Sequence, residues 1–395
     1  MANLKAFLRP KKEQSLYRFH PWIFSGAIAR YEKEPEEGDI VDIFTADKTF
    51  IARGHYQIGS IAVRVLTFDE TEEINDAFWT KRIGTALKVR ESVGLANNPN
   101  NNTYRLIHGE GDFLPGLIVD IYDETAVIQA HSVGMHFARN IVAQTIIDVM
   151  NSKVKHVYYK SETTLPFKAN LDATDGFIIG GDKNNIAIEN GLKFHVDWLK
   201  GQKTGFFVDQ RDNRALLEKY AKDKSVLNMF CYTGGFSFYA MRGGAKVVHS
   251  VDSSAKAIDL TNENIQLNFP DDNRHEAYAE DAFKYLDRMG GEYDLIILDP
   301  PAFAKHRQAL RNALQGYRKI NAKAFEKIKP GGILFTFSCS QVVSKDDFRT
   351  MVFSAAAMSK RKVRILHQLT QPADHPVSIY HPEGEYLKGL VLLVE

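Results

Sequence analysis

The stretch SVLNMFCYTGGFSFYAMR, Ser225 to Arg242, reads as a buried strand, a glycine turn and a helix in direct succession. Apolar and β-branched residues fill Ser225–Phe230, glycines stand at 234 and 235, and Phe236–Arg242 reads as helix. Paired glycines let the backbone come close to a ligand at a helix N-terminus. The alternation then continues. Strands are predicted over 246–251, 275–279, 294–298 and 333–338, and helices over 255–268, 282–289, 308–328 and 345–358. Strand–helix alternation is the sign of a parallel sheet. Two last strands, near Val363–His367 and Tyr386–Val394, are expected to pair antiparallel and close its edge.

In such sheets ligands sit at the carboxyl ends of the strands. The first end carries Gly234, without the full G-x-G-x-x-G of a dinucleotide site. The second ends at Asp252, eighteen residues on, where a carboxylate commonly accepts ribose hydroxyls. The third ends at Glu280-Asp281, placed to meet an adenine amino group. Together they suggest an adenosine-containing cofactor. The fourth strand ends in LDPPAF, Leu298 to Phe303, the most specific local signal in the chain. Two prolines after an acid make a stiff turn with fewer N–H donors competing for its carbonyl oxygens. Asp299 and those carbonyls can hold the polar edge of a flat base, and Phe303 can stack on it. The fifth strand brings Cys339. Its bland reading is a small, buried, inert residue; its sharp reading is a nucleophile. Ser344 and Asp347 form a capping box for the next helix, and a nearby helix N-terminus favours a thiolate.

Upstream, residues 1–70 look β-rich, with strands over 39–44, 49–56 and 61–68. The first 33 residues hold seven Lys/Arg against two Glu, interleaved with Tyr17, Phe19, Trp22 and Phe24. Cations meet phosphates and rings stack on bases, so this surface suits RNA; a solvated charged face over core aromatics is the competing reading. Residues 71–195 read as a small α+β unit: helices over 78–93 and 136–150, strands over 104–108, 117–122, 125–131 and 156–160, and a hairpin over 186–196 turning at Asn190-Gly191. The third domain spans 196–395. With 395 residues, 44% hydrophobic and 25% charged, the chain has a globular composition, and a net charge of +1 leaves any nucleic-acid role to local patches. Two cysteines make no disulfide framework, no segment reaches a membrane-spanning length, and a cytoplasmic location is expected. No metal site is expected.

The segments GQKTGFFVDQRDNR (201–214), NMFCYTGGFS, SVDSS, AEDAF, LDPPAF, FTFSCS and ADHPV (373–377) resemble the bacterial large-subunit (23S) ribosomal RNA cytosine-5 methyltransferase family. HPWIFSGAIAR (20–30) looks like the start of a PUA RNA-binding domain, and YRLIHGEGDFLPGLIVDIY (104–122) is similar to the family's middle segment, so the match covers nearly the whole chain. The resemblance implies an α/β fold. A class I methyltransferase Rossmann-like domain, a seven-stranded sheet with an antiparallel terminal pair, follows a β-rich PUA domain and a small α+β domain. It implies S-adenosyl-L-methionine as cofactor and ribosomal RNA as partner, with no membrane and a homodimer left open. Gln210, Phe230, Gly234, Asp252, Asp281 and Asp299 would contact the cofactor. Pro300, Pro301, Phe303, Lys305 and Arg307 would meet the substrate; Asp299 would also hold the cytosine, and Cys339 would attack it. Pro301 and Ala302 stand where many RNA cytosine-5 enzymes carry a second cysteine, which leaves the proton-removing base unassigned; Cys231 reads as a packing residue. The basic run from Lys305 to Lys323 could grip phosphates, with Arg211 and Arg214 extending it.

Three rivals compete. A D-P-P motif with a following aromatic also serves methylation of exocyclic base nitrogens, which needs no thiol. Uracil carbon 5 uses the same thiol chemistry, but the S-C-N/D-P pattern of those enzymes is absent, since Ser340 and Gln341 follow Cys339. A non-catalytic RNA-binding assembly factor is the third. A nicotinamide-dependent dehydrogenase fits poorly, because the glycine loop is wrong.

Overall fold

The computed structural model describes residues 3–151, 153–166, 171–181, 185–304 and 306–395. The chain divides into two compact units. One comprises Met1–Gly191, Val196–Val208 and Ala373–Gly384; the other comprises Leu192–His195, Asp209–Pro372 and Glu385–Glu395.

The second unit is built on a seven-stranded sheet. Its strands are β1 (Ser225–Met229), β2 (Val247–Asp252), β3 (His275–Ala279), β4 (Leu295–Leu298), β5 (Gly332–Ser338), β6 (Val363–Leu369) and β7 (Lys388–Val394). The spatial order is β3-β2-β1-β4-β5-β7-β6. The first five run parallel; β7 inserts antiparallel between β5 and β6. All four residues of β4 are buried, as the continuous apolar run requires of a central parallel strand. Each such Leu or Ile contributes about 1.5–3 kcal/mol by leaving water. The strand order reverses between β1 and β4, and the crevice at that reversal is where doubly wound sheets bind ligands. The helix Lys345–Met358 opens with the expected capping box between Ser344 and Asp347. The helix Arg211–Glu218 is an addition that the charged sequence RDNRALLE concealed.

The first unit holds two larger sheets. The six-stranded one runs Trp22–Phe24, Ile61–Thr67, Phe50–Tyr56, Ile40–Phe44, Leu4–Leu8, Ile28–Tyr31, with only the Leu4–Leu8 and Ile40–Phe44 pair parallel. The five-stranded one runs Gly176–Ile179, His156–Tyr159, Thr125–Ala130, Leu117–Tyr122, Thr103–His108. The helices Asp76–Ser92 and Arg139–Val149 bury Ile83, Ala86, Val142 and Ile146 with its strands in one hydrophobic core. The segment 373–384 belongs here for a stated reason. Fully buried Arg90 forks onto Asp112 at 2.5 and 2.7 Å and donates to the carbonyls of Arg105 and Asp374 at 2.7 and 2.8 Å. Asp374 in turn accepts from the Arg105 backbone N–H at 3.0 Å. A buried guanidinium needs this many acceptors to offset its desolvation, and one of them, the Asp374 carbonyl, is supplied by distant chain. At the Asn190-Gly191 turn both residues adopt positive φ, +48° and +81°, as a tight hairpin turn demands.

Candidate active site

The chain leaving β1 folds back sharply. Phe230 and Tyr232 take φ of +58° and +48°, and Gly234 takes +84°. A Cβ at Gly234 would lie 2.5 Å from the Phe238 ring and 2.8 Å from Thr261, so only glycine fits there. Gly234 then caps the helix Gly235–Arg242. Asp252, at the end of β2, braces this loop: its carboxylate accepts from the Tyr232 N–H at 3.0 Å and the Ser254 N–H at 2.9 Å. A carboxylate offers about four acceptor positions, so bracing the loop leaves capacity for ribose hydroxyls. Asp281 is exposed and caps the helix Ala282–Arg288 by accepting from Lys284 N–H at 3.0 Å. Glu280 pairs with Arg288 at 2.7 Å. Phe230 is half-buried against the core of the unit.

The ends of β4 and β5 are adjacent, with Leu298 opposite Thr336. Asp299 follows β4 and accepts a hydrogen bond at 3.0 Å from the side-chain amide of Gln210, whose own oxygen accepts from Asn213 at 2.6 Å. Buried Gln210, expected on the cofactor, therefore orients the Asp299 carboxylate. Pro300 is buried and Pro301 exposed. Phe303 turns inward: its ring lies 4.6 Å from that of Tyr317, and it packs on the core. Ser340 ties the two loops together. Its hydroxyl accepts from the Ala304 N–H at 3.4 Å and lies 3.0 Å from the Tyr317 hydroxyl.

Cys339 stands between these contacts. It is partly exposed, and its Sγ lies 3.9 Å from the Pro300 carbonyl oxygen of the D-P-P-A-F turn. Cys231, by contrast, is buried, and burial followed by the charge of Asp252 pushes its thiol far above the usual range. A residue the sequence did not single out completes the picture. Lys388 opens β7 and is buried; its ammonium donates to the carbonyls of Ser340 and Val343, at 2.7 Å each, and so pins the turn that follows Cys339. Burial pushes the Lys388 pKa down to about 8, while the neighbouring Cys339 sulfur acts to raise it. A lysine heading the otherwise apolar run KGLVLLV was the available signal.

The family profile of S-adenosylmethionine-dependent methyltransferases matches residues 167–381, and that of PUA-like domains matches residues 7–68. The chain belongs to this methyltransferase family. The methyltransferase is 39% identical over 394 residues to the ribosomal RNA large subunit methyltransferase I of Alteromonas mediterranea, covering 98% of both chains. It is 38% identical to the protein of that name from Escherichia coli, over 99% of this chain and 100% of the other. Its fold is shared with a candidate SAM-dependent methyltransferase from Streptococcus mutans, at TM-score 0.83 and 22% identity over 99% of this chain and all of that one. A second structure, of a candidate methyltransferase complexed with SAH, gives TM-score 0.84 at 22% identity over the full length of both chains. The glycine cradle at 234 and the braced Asp252 fit the adenosyl cofactor that the family uses.

In the methyltransferase the basic run is only partly open, and its expected extension is corrected. Arg307, Arg311 and Lys319 are exposed. Lys323 is paired with Asp287, and Arg318 donates to Gln315. Lys305 lies outside the described residues. Arg211 and Arg214 do not extend the patch: both are buried, 1% and 2% exposed, in the helix Arg211–Glu218. In the β-rich domain the aromatic question resolves toward a surface. Tyr17, Phe19 and Phe24 are 59%, 49% and 50% exposed, alongside exposed Arg9, Lys11, Lys12 and Arg18.

Proposed function

We propose that the protein methylates carbon 5 of one cytosine in large-subunit ribosomal RNA through a transient bond from Cys339 to carbon 6. The observation that carries this reading is the partly exposed Cys339 sulfur, 3.9 Å from the Pro300 carbonyl of the D-P-P turn, with the buried Lys388 ammonium bound to the carbonyl of the next residue, Ser340. The substrate class is supported by the curated relatives, which are named for large-subunit ribosomal RNA, and by the exposed basic and aromatic surfaces.

Carbon 5 of cytosine is a weak nucleophile. Addition of the Cys339 thiolate to carbon 6 forms a C–S bond and moves the electron pair of the 5,6 double bond onto carbon 5. S-adenosylmethionine supplies an electrophilic methyl group on a sulfonium. Asp299, oriented by Gln210, holds the ring nitrogen 3 and amino edge of the base and shares a proton with it as charge develops. Loss of the carbon 5 proton then restores the double bond and expels the sulfur as thiolate. Gly234, Asp252 and Asp281 would hold the adenosyl part of the cofactor. Exocyclic methylation would leave the exposed thiol without a task.

The test is direct. Large-subunit ribosomal RNA made without modification is incubated with the protein and S-adenosylmethionine, and modified nucleosides are mapped. A single 5-methylcytosine site is expected; a methyl group on an exocyclic nitrogen or on uracil overturns the reading.

Lys388 gives a further expected result. A cation close to a thiol shifts its ionisation toward the thiolate, typically by about 1–3 pKa units. Lys388→Met is therefore expected to lower turnover at pH 7 by about tenfold or more, with cofactor affinity unchanged. Because higher pH forms thiolate without help, the ratio of variant to wild-type turnover rises with pH. A constant ratio from pH 7 to 9 assigns Lys388 to turn geometry alone.

A further inference from the structure

A cavity of about 280 Å³ lies within the first unit. Its walls carry four aromatic rings, Phe19, Phe68, Phe113 and Tyr380, with Arg82 and Glu110 between them. The Phe19 ring stands 5.2 Å from Phe68, nearly perpendicular to it at 87°, and 5.3 Å from Tyr380. Three of the rings remain open to solvent: Phe19 is 49% exposed, Phe113 51% and Tyr380 43%. Large aromatics left this open on one contiguous surface mark a binding face.

The backbone supports that reading independently. Phe19 and Phe113 each close a short 3-10 turn in the left-handed conformation, at φ of +58° and +57°. Glycine is the usual residue at that position, and a bulky side chain there is strained. Such strain collects at ligand clamps. Here it occurs twice, and each time it sets a ring on the wall of the same cavity.

Two charged side chains share these walls. The Arg82 guanidinium donates to the Leu66 carbonyl at 3.2 Å and to Glu72 at 2.9 Å, while its Nε–H is buried without a hydrogen-bond partner. Glu110 accepts from the Trp22 indole at 2.8 Å through one oxygen. Arg82 and Glu110 thus add one cationic and one anionic side chain to a ring-lined space. The volume is below the roughly 300 Å³ at which pockets for drug-sized ligands begin, and so suits one ring system better than a whole cofactor. Exposed Arg18 adjoins Phe19, and Arg9, Lys11 and Lys12 lie on the same basic domain, which favours a ligand attached to phosphates.

We infer that this cavity takes one unpaired base of the RNA substrate, packed against the Phe19 and Tyr380 rings. Ring contacts of this kind tolerate any base, because every base has a π face. The pocket holds a base away from the chemistry and serves affinity and choice of site. The inference rests on the ribosomal RNA reading above.

The test uses the full-length protein with S-adenosylmethionine present and unmodified large-subunit ribosomal RNA. Phe19→Ala and Tyr380→Ala are each expected to weaken RNA binding and raise KM roughly tenfold, in line with the loss of one base stack. Turnover at saturating RNA and cofactor affinity stay within twofold of wild type, and Phe19→Tyr and Tyr380→Phe restore binding. In competition, short single strands are expected to displace ribosomal RNA from the wild type, and the double alanine variant is expected to bind them about tenfold more weakly. A folded double variant that binds ribosomal RNA as tightly as wild type overturns the inference and leaves the surface to a protein partner. A wild type that binds RNA through these rings but forms no 5-methylcytosine would instead remove the carbon 5 reading and keep the pocket.

Discussion

Cys339→Ala is expected to reduce cytosine methylation by about 10⁴-fold or more while S-adenosylmethionine binds as in wild type. The size follows from what the sulfur does. Without a bond at carbon 6, carbon 5 has no electron pair to offer, and removing a covalent nucleophile typically costs several orders of magnitude in turnover. The cofactor loop is built elsewhere, from Phe230 to Gly234 with Asp252, so its affinity has no reason to change. Nor does the fold, since Cys339 is partly exposed at a strand end and alanine keeps its small volume. Single-turnover assays beside calorimetric cofactor binding separate the two effects. Turnover within tenfold of wild type would move the protein to the exocyclic-nitrogen class. Cys231→Ala is the matched control: that thiol is buried and its ionisation strongly opposed, so its removal leaves the rate nearly unchanged.

The second large effect is expected at Asp299. Asp299→Asn keeps the shape of the side chain but cannot share a proton with the base, and general acid–base assistance is worth about 10²–10⁴-fold. The loss should fall on kcat more than on KM for RNA, because the proton matters most as charge develops on the ring. The same substitution also sets an amide opposite the Gln210 amide that now donates at 3.0 Å. Gln210→Ala, which removes the orienting contact and the Asn213 hydrogen bond but leaves the Asp299 carboxyl able to share a proton, is therefore expected to lose less than Asp299→Asn. Equal losses in the two variants would mean that orientation, and not proton sharing, is the contribution of Asp299.

How far the sequence carried these conclusions depends on whether the signal was local. The strands β1 to β5 were legible because each is a short apolar run closed by a turn, and the helix Lys345–Met358 because its capping box is written in adjacent residues. The strand ends followed from that order, so Gly234, Asp252, Asp299 and Cys339 fall at the carboxyl ends of the strands of one sheet. Non-local features were hidden. Leu4–Leu8 is a strand because it pairs in parallel with Ile40–Phe44, far along the chain. Trp22–Phe24 has three residues and an irregular register against Ile61–Thr67. Charge misled in the segment after 210, where Arg211 and Arg214 read as a solvent face and are buried. Lys388 heads the apolar run KGLVLLV, but its two acceptors, the Ser340 and Val343 carbonyls, lie far back along the chain, so its role was hidden. The division of the chain is similarly non-local, since Ala373–Gly384 joins the first unit through buried Arg90 and Arg105.

The covalent bond itself can be caught. RNA carrying 5-azacytosine at the target position has nitrogen where the departing proton should be, so the sulfur adduct has no route to release. Incubated with the protein and S-adenosylmethionine, it is expected to give a complex that survives denaturation, with the RNA attached to the peptide containing Cys339. A wild-type protein that methylates ordinary cytosine at carbon 5 yet leaves no such complex would contradict attack by that sulfur.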